Sequence, residues 1–191
     1  MAAILLLQIN FALFAAIFLF CLFRSFNLNI VLVGLTYLLP LVPWWLGSAQ
    51  AERILIVSYS NLIFGIIEIV FFTLTERQED VKFNKAYLQQ LFGHVLPIIA
   101  ALIGMSFVSR TTLIPVDMWE LFLIAILFTF GTTLRILAIS QLGLLRFKFN
   151  IAFREKQTLK TDQLHRYMRH PTYTGMMIVI LAYAVTTHSW S

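Results

Sequence analysis

Charge is scarce in this sequence. Of 191 residues, 12% are Asp, Glu, Lys or Arg and 60% are apolar, whereas soluble domains are about a quarter charged. The mean hydropathy is +0.84. A water-soluble fold of this size has no interior able to hide so much apolar surface, and several apolar runs reach membrane-spanning length. A soluble domain is therefore excluded. Cysteine is almost absent as well. Cys21 is alone and lies inside an apolar run, so it forms no internal disulfide and lacks the His or Cys neighbours of a metal site. It reads as a small buried hydrophobe. The opening stretch, MAAILLLQINFALFAAIFLFCLF, has no basic residue. A secretory signal peptide needs one there, and its apolar core is shorter than this run. The stretch reads as a retained first span. Internal repeats and low-complexity tracts are missing too.

The familiar signatures of soluble enzymes are also lacking. No G-x-G-x-x-G follows a strand, which excludes a Rossmann nucleotide site, and there is no P-loop, G-x-S-x-G or H-E-x-x-H. His94, His165, His170 and His188 do not stand at metal-ligand spacing with cysteines or acids. Any activity has to come from another kind of site.

What is present is a series of apolar runs. Six of them, at roughly 3–23, 28–46, 54–74, 90–108, 118–141 and 172–189, predict an all-α polytopic membrane bundle of about six transmembrane helices. Membrane β-strands would show short alternating segments, and these runs are continuous. Pro40, Pro43 and Pro97 fall inside runs, where a kink is tolerated if neighbours satisfy the freed carbonyls. Trp44, Trp45 and Trp119 stand at run ends, as interfacial anchors do. The organisation divides into residues 1–130, four helices and most of the fifth, and residues 131–191, the end of helix five, a connector and helix six.

The basic residues are distributed unevenly. The breaks on one side of the predicted bundle carry Arg24, then Arg77, Lys82 and Lys85, then Arg146, Lys148, Arg154, Lys156, Lys160, Arg166 and Arg169. The opposite side has Arg53 and Arg110, and Arg135 lies near enough to the end of the fifth run to snorkel. Positive residues stay inside, so the connector before the last helix is predicted to be cytosolic. The expected location is the inner membrane if the source is bacterial and the endoplasmic reticulum if it is eukaryotic. The net charge of +5 then reflects topology and attraction to anionic lipid heads, and nucleic acid is not an expected partner.

Ionisable groups inside runs come next. Glu68 lies deep in the third run, in FGIIEIVFF. A lone charge there costs at least ~2.5 kcal/mol, so Glu68 is expected to be neutral, paired or facing a polar cavity. Proton or substrate handling and a hydrogen bond to another helix are the two readings. His94 reads as a satisfied interhelical histidine. Asp117 and Glu120 flank the fifth run and are expected in the solvated interface. The remaining cluster is LHRYMRHPTYTG, Leu164 to Gly175. Pro171 suits the first position of a helix, with His170 extended before it. The N–H groups of Thr172, Tyr173 and Thr174 are then free to meet an anion. Arg166 and Arg169 stand beside them, and Tyr167 and Tyr173 add ring faces that attract cations. Such a helix start suits a zwitterionic ligand or a lipid head.

The segment RYMRHPTYTG resembles the R-H-P-x-Y-x-G signature of the membrane-embedded isoprenylcysteine carboxyl methyltransferase family and of related phospholipid N-methyltransferases. The similarity runs from Leu134 to Gly175, through LRILAISQLG, a connector and a T-L step. The resemblance implies an enzyme that uses S-adenosylmethionine without a Rossmann domain, in contact with membrane lipids. It implies cofactor contacts at Gln157, Thr158, Leu159, Lys160, His165, Tyr167, His170, Pro171, Thr172, Tyr173 and Gly175, and no metal. The implied acceptor is lipophilic, with a prenylcysteine-type carboxylate as the nearest match. A carboxylate is already ionised and needs only a cation to orient it, a role for Arg135 or Arg169. Phospholipid N-methylation needs a base such as His165 or Glu68, and small-thiol S-methylation is a further alternative. Two positions depart from the family pattern. Gln163-Leu164-His165 stands where the family has Gly-Pro-Tyr, and the sequence reads TTHSWS where the family continues into a returning helix and an R-x-x-x-E-E segment. A non-catalytic truncated relative is therefore kept as the expectation from another class.

Overall fold

Hydrocarbon offers no hydrogen-bonding solvent, so an apolar run must satisfy its backbone internally, and a helix does this within one segment. The computed structural model describes residues 2–75, 85–142 and 163–188, and every regular element among them is helical. Helix α1 covers Ala2–Arg24, α2 Leu28–Leu38, α3 Ala51–Thr75, α4 Lys85–Gln90, α5 Leu96–Thr111, α6 Met118–Leu142, α7 Leu164–Tyr167 and α8 Pro171–Val185. Five apolar stretches are long enough to cross a membrane, and α8 is a shorter apolar helix.

The prolines change the winding rather than simply kinking it. After α2 the chain continues as a 3-10 helix over Leu39–Leu46, with Pro40 in its first turn and Pro43 inside. Pro43 has no N–H and its ring would strike the carbonyl four residues back in an α-helix. In the tighter coil, residues three apart share a face. Leu41 and Trp44 accordingly both point inward and are fully buried, while Trp45 is half exposed. This corrects the expectation that Trp44 anchors the interface; Trp45 and Trp119 do lie outside. The fourth run starts earlier than its apolar pattern suggests. It is built of α4, a wide π-type turn over Leu91–Val95, and α5. Pro97, just beyond that turn, offers no N–H to the carbonyl of Gly93, and the helix loosens there.

Apolar side chains gain little from meeting each other in lipid, so packing and interhelical hydrogen bonds hold the bundle. Edge-to-face rings run through it from Phe14 to Tyr37, Phe64 and Phe128, at centroid distances of 6.3, 5.7 and 6.3 Å. Asn10 Nδ2 donates to Ser58 Oγ at 2.7 Å, joining α1 to α3. Asn61 of α3 donates to the Tyr37 carbonyl of α2 and accepts from the Tyr183 hydroxyl of α8. Tyr87 Oη donates to Asn29 Oδ1 at 3.0 Å, joining α4 to α2. Asn27 caps α2 by accepting from the Asn29 N–H at 2.8 Å. Cys21 is buried in the core, as its surroundings in the sequence suggest.

The closest helix pair is α6 with α8. A Cβ on Gly175 would lie 2.7 Å from the Gly131 carbonyl and 2.8 Å from the Arg135 backbone nitrogen, and one on Gly131 would lie 2.8 Å from the Gly175 carbonyl. Only glycine allows this backbone approach, which is the small-residue packing that membrane helices use. Helix α8 ends at Val185, followed by a turn at Thr186 and Thr187, and so stops short of the 189 expected from the apolar run. Its fifteen residues span about 22 Å at 1.5 Å per residue.

Gly175→Ala should lower the melting temperature in detergent by several degrees, as overpacking against backbone costs about 1–3 kcal/mol. Gly104→Ala meets no atom within 4 Å and should leave it unchanged or raise it. Equal behaviour of the two variants would contradict the α6–α8 contact.

Candidate functional site

Fifteen positions separate Arg53 from Glu68 on α3, and fifteen separate Glu120 from Arg135 on α6. That is about 22 Å of helix, with the signs reversed between the two helices. The helices run in the same direction, and both pairs close. Arg53 Nη1 donates to Glu120 Oε1 at 2.5 Å and Nη2 to Oε2 at 3.1 Å. Arg135 Nε donates to Glu68 Oε1, and Nη2 to Oε2 at 2.5 Å. Both are two-pronged pairs, the strong geometry for guanidinium and carboxylate. They are deeply buried: Arg53 is 0% exposed, Glu68 2%, Arg135 4% and Glu120 6%.

Each arginine also reaches α8. Arg53 Nη1 donates to the Thr186 carbonyl at 2.6 Å, and Arg135 Nη1 donates to the Thr172 carbonyl at 3.0 Å. The last helix is thus held at both ends by buried charge pairs. At the Thr186 end the fastening continues. Arg53 Nε and Nη2 donate to the Ile114 carbonyl at 3.3 and 2.9 Å. His188 Nδ1 lies 3.2 Å from Glu120 Oε2, and Ser109 Oγ lies 2.9 Å from Thr186 Oγ1. This cluster escaped the sequence reading, which placed Glu120 in the solvated interface and counted Arg53 only as a loop charge. Burial follows from their pairing. The available signals were the matched spacing and the D-M-W-E start of α6, where Asp117 Oδ1 accepts from the Glu120 N–H at 2.6 Å, the first half of a capping box. Arg135 likewise turns inward to Glu68 and does not snorkel.

At the other end, Pro171 opens α8 with His170 as the preceding residue at φ −136° and ψ 63°, and no side chain caps the helix. The Thr174 N–H donates to the His170 carbonyl at 3.0 Å, so it is not free as the sequence suggests. The N–H groups of Thr172 and Tyr173 have no hydrogen-bond partner among the described residues. Around them, His170 is exposed, its ring edge-on to Tyr173 at 6.0 Å. Arg169 and Tyr167 are exposed, and the Arg166 guanidinium lies 5.9 Å over the Tyr167 ring. His165 is half-buried on α7, whose first N–H, from Leu164, donates to Gln141 Oε1 at 3.2 Å. Pro171, Thr172 and Gly175 are buried, Gly175 against the backbone of α6. Gln157, Thr158, Leu159 and Lys160 lie outside the described residues.

Beneath this helix start is a cavity of about 50 Å³, room for a few waters. Asn29, Thr36 and Tyr37 of α2, Glu68, Arg135 and Tyr173 give it a polar side; Leu32, Val33, Phe72, Val95, Ile98 and Met176 complete the wall. Glu68, Arg135 and Tyr173 therefore belong both to the cavity and to the surroundings of the helix start.

A bundle apolar along most of its surface, with its charges paired in the interior, defines an integral membrane protein. Residues 123–190, which span most of α6 together with α7 and α8, match the model of the isoprenylcysteine carboxyl methyltransferase (ICMT) family. The matched segment takes in the R-H-P-x-Y-x-G stretch on which the resemblance rests. No curated protein and no solved structure matches the chain. Arg135, Thr172 and Gly175 lie inside the matched segment, whereas Arg53, Glu68 and Glu120 lie before it.

Arg53→Met should destabilise the protein by about 3–5 kcal/mol, because it leaves the Glu120 carboxylate buried and unpaired. Arg53→Met with Glu120→Leu should recover most of the loss, since replacing both partners by apolar groups is often near neutral. Denaturant titration in detergent of both variants checks this. A double variant no better than the single one would show that the buried charges are not a pair.

Proposed function

We propose that this protein is an S-adenosylmethionine-dependent methyltransferase acting on a lipophilic acceptor, with a prenylcysteine-type carboxylate as the nearest acceptor class. The observation that carries the reading is a coincidence. The segment that matches the family is the one that presents two N–H groups without a partner among the described residues, cationic arms and aromatic faces at one helix start.

The residues fit a zwitterionic cofactor. The N–H groups of Thr172 and Tyr173, with the helix dipole behind them, suit its carboxylate, and Arg166 and Arg169 add charge of the right sign. His170, Tyr173 and Tyr167 offer ring faces to its cationic centre. By resemblance, Gln157, Thr158, Leu159, Lys160 and His165 complete the contacts. Pro171 and Gly175 act through shape, one opening the helix and the other letting it rest on α6. When bound, the cofactor supplies an electrophilic methyl group on a sulfonium. The chain's own task is to orient the acceptor and exclude water.

The two candidate cations divide that work. The charge of Arg135 is already balanced by Glu68, so Arg135 holds the helix start in place. Arg169 is exposed beside it and is the cation left to orient an acceptor carboxylate. The acceptor needs no general base if it is a carboxylate. The same charge pattern favours a cytosolic position for this end. With Arg53 paired in the interior, the opposite side keeps Arg110 alone from the basic count, and its Nη1 donates to the Gly47 carbonyl at 3.2 Å.

The test is binding of radiolabelled S-adenosylmethionine to the purified chain in lipid nanodiscs, followed by methyl transfer to farnesylcysteine, phosphatidylethanolamine and alkyl-thiol acceptors. Saturable binding is expected, with transfer to the prenylcysteine. His170→Ala should weaken binding about tenfold, equivalent to roughly 1.4 kcal/mol, with an unchanged melting temperature. Transfer only to the amine or the thiol would reassign the acceptor. No binding by the folded chain would overturn the enzyme reading and favour a non-catalytic membrane protein.

A further inference from the structure

We infer that Glu68, on a helix outside the family-matched segment, is a positioning residue for the first turn of α8, and through it for the cofactor; the second step rests on the function proposed above. The chain of contacts is short. Arg135 meets α8 twice. Its backbone nitrogen and Cβ would lie 2.8 and 3.0 Å from a Cβ on Gly175, a contact that fixes how deeply α8 rests on α6. Its Nη1 donates to the Thr172 carbonyl at 3.0 Å, which fixes how the first turn is rotated. That rotation sets where the N–H groups of Thr172 and Tyr173 point.

The guanidinium can hold Thr172 only while its own plane is held. Two of the three side-chain contacts that fix it come from the Glu68 carboxylate, and a two-pronged pair restrains orientation as well as distance. Glu68 also removes a net charge. An uncompensated cation at the start of a helix opposes the dipole, and a buried one would turn toward any other acceptor. Glu68 and Arg135 both line the cavity beside α8, which is otherwise mostly apolar, so the guanidinium has space to swing if its partner is shortened. A carboxylate on α3 thus governs the geometry of a site assigned to α8.

The second charge pair supplies a control built from the same chemistry. Arg53 and Glu120 are as deeply buried and also hold a carbonyl at the other end of α8, that of Thr186 just past the helix. Glu68→Asp and Glu120→Asp each keep the charge and withdraw it by one methylene. Both should lower the melting temperature. Only Glu68→Asp should speed hydrogen exchange in the 172–177 segment without cofactor, and only it should weaken S-adenosylmethionine binding, by about tenfold. Arg135→Lys, which keeps the charge but loses the fork, should reproduce both effects, and serves if Glu68→Asp does not fold. Wild-type exchange at 172–177 in both Glu68→Asp and Arg135→Lys would overturn the positioning role whatever the cofactor does. Equal exchange and binding losses in Glu120→Asp would overturn it too, by showing a general loosening. Altered exchange in a protein whose wild type binds no cofactor would retain the positioning of α8 and overturn the cofactor step.

Discussion

A charged side chain in a low-dielectric interior needs a partner, and in this bundle that need decides where the last helix goes. Desolvating an arginine and a glutamate costs several kcal/mol each, and good geometry with further hydrogen bonds is required to offset it. Each pair here recruits a carbonyl of α8 as the further acceptor. The two pairs lie about 22 Å apart, close to the length of α8 itself. Helices α3 and α6 therefore act as a frame with a charged clasp at each end, and α8 is held between the clasps. The glycine contact between Gly131 and Gly175 sets the separation of α8 from α6, and the clasps set its height and rotation. The Tyr183 hydroxyl, which donates to Asn61 of α3, adds a further tie between the clasps.

The sequence was a good guide to some of this and a poor guide to the rest. Apolar runs located the helices because the bilayer demands internally satisfied backbone over a known length. Pro171 located the start of α8, since proline suits a first helical turn, and Glu68 in an apolar run had to be neutral, paired or facing a polar cavity. That it is paired, and with Arg135, was hidden, because pairing depends on how helices assemble and not on either one alone. Arg135 looked like a snorkelling residue, and Arg53 and Glu120 like interfacial ones, for the same reason. The winding of Leu39–Leu46 was hidden as well. Two prolines three residues apart announce an interruption but not its form, and the 3-10 form turned Trp44 inward. In the candidate site, the R-H-P-T-Y stretch was legible as a helix start with an open face. Its dependence on α3 was not.

The division of the chain also has a physical reading. The family match begins at residue 123, five residues into α6, and takes in one member of the inner charge pair, Arg135, but not the other. The matched segment thus carries an arginine whose charge is balanced from elsewhere in the bundle. The first three helices provide a lipid-facing wall, an aromatic interior around Phe14, Tyr37 and Phe64, and the carboxylate that balances Arg135.

The end groups of α8 are satisfied unequally. A helix leaves several N–H groups at one end and several carbonyls at the other without internal partners, and in an apolar interior these need satisfying. At the far end the last three carbonyls of the helix and the two that follow all have partners. The Tyr183 and Ala184 carbonyls accept from Thr186 and Thr187, that of Val185 accepts from the His188 N–H, that of Thr186 from Arg53 and that of Thr187 from Thr112 Oγ1. At the near end Pro171 has no N–H to satisfy, and those of Thr172 and Tyr173 have no partner among the described residues. Among the described residues, one end of the helix is closed and the other keeps two donors without a partner. Arg166 and Arg169 are exposed beside those donors, and Glu68 and Arg135 hold the turn that carries them. Among the described residues, α8 is thus fixed at both ends and capped at only one, the asymmetry on which the proposed cofactor site rests.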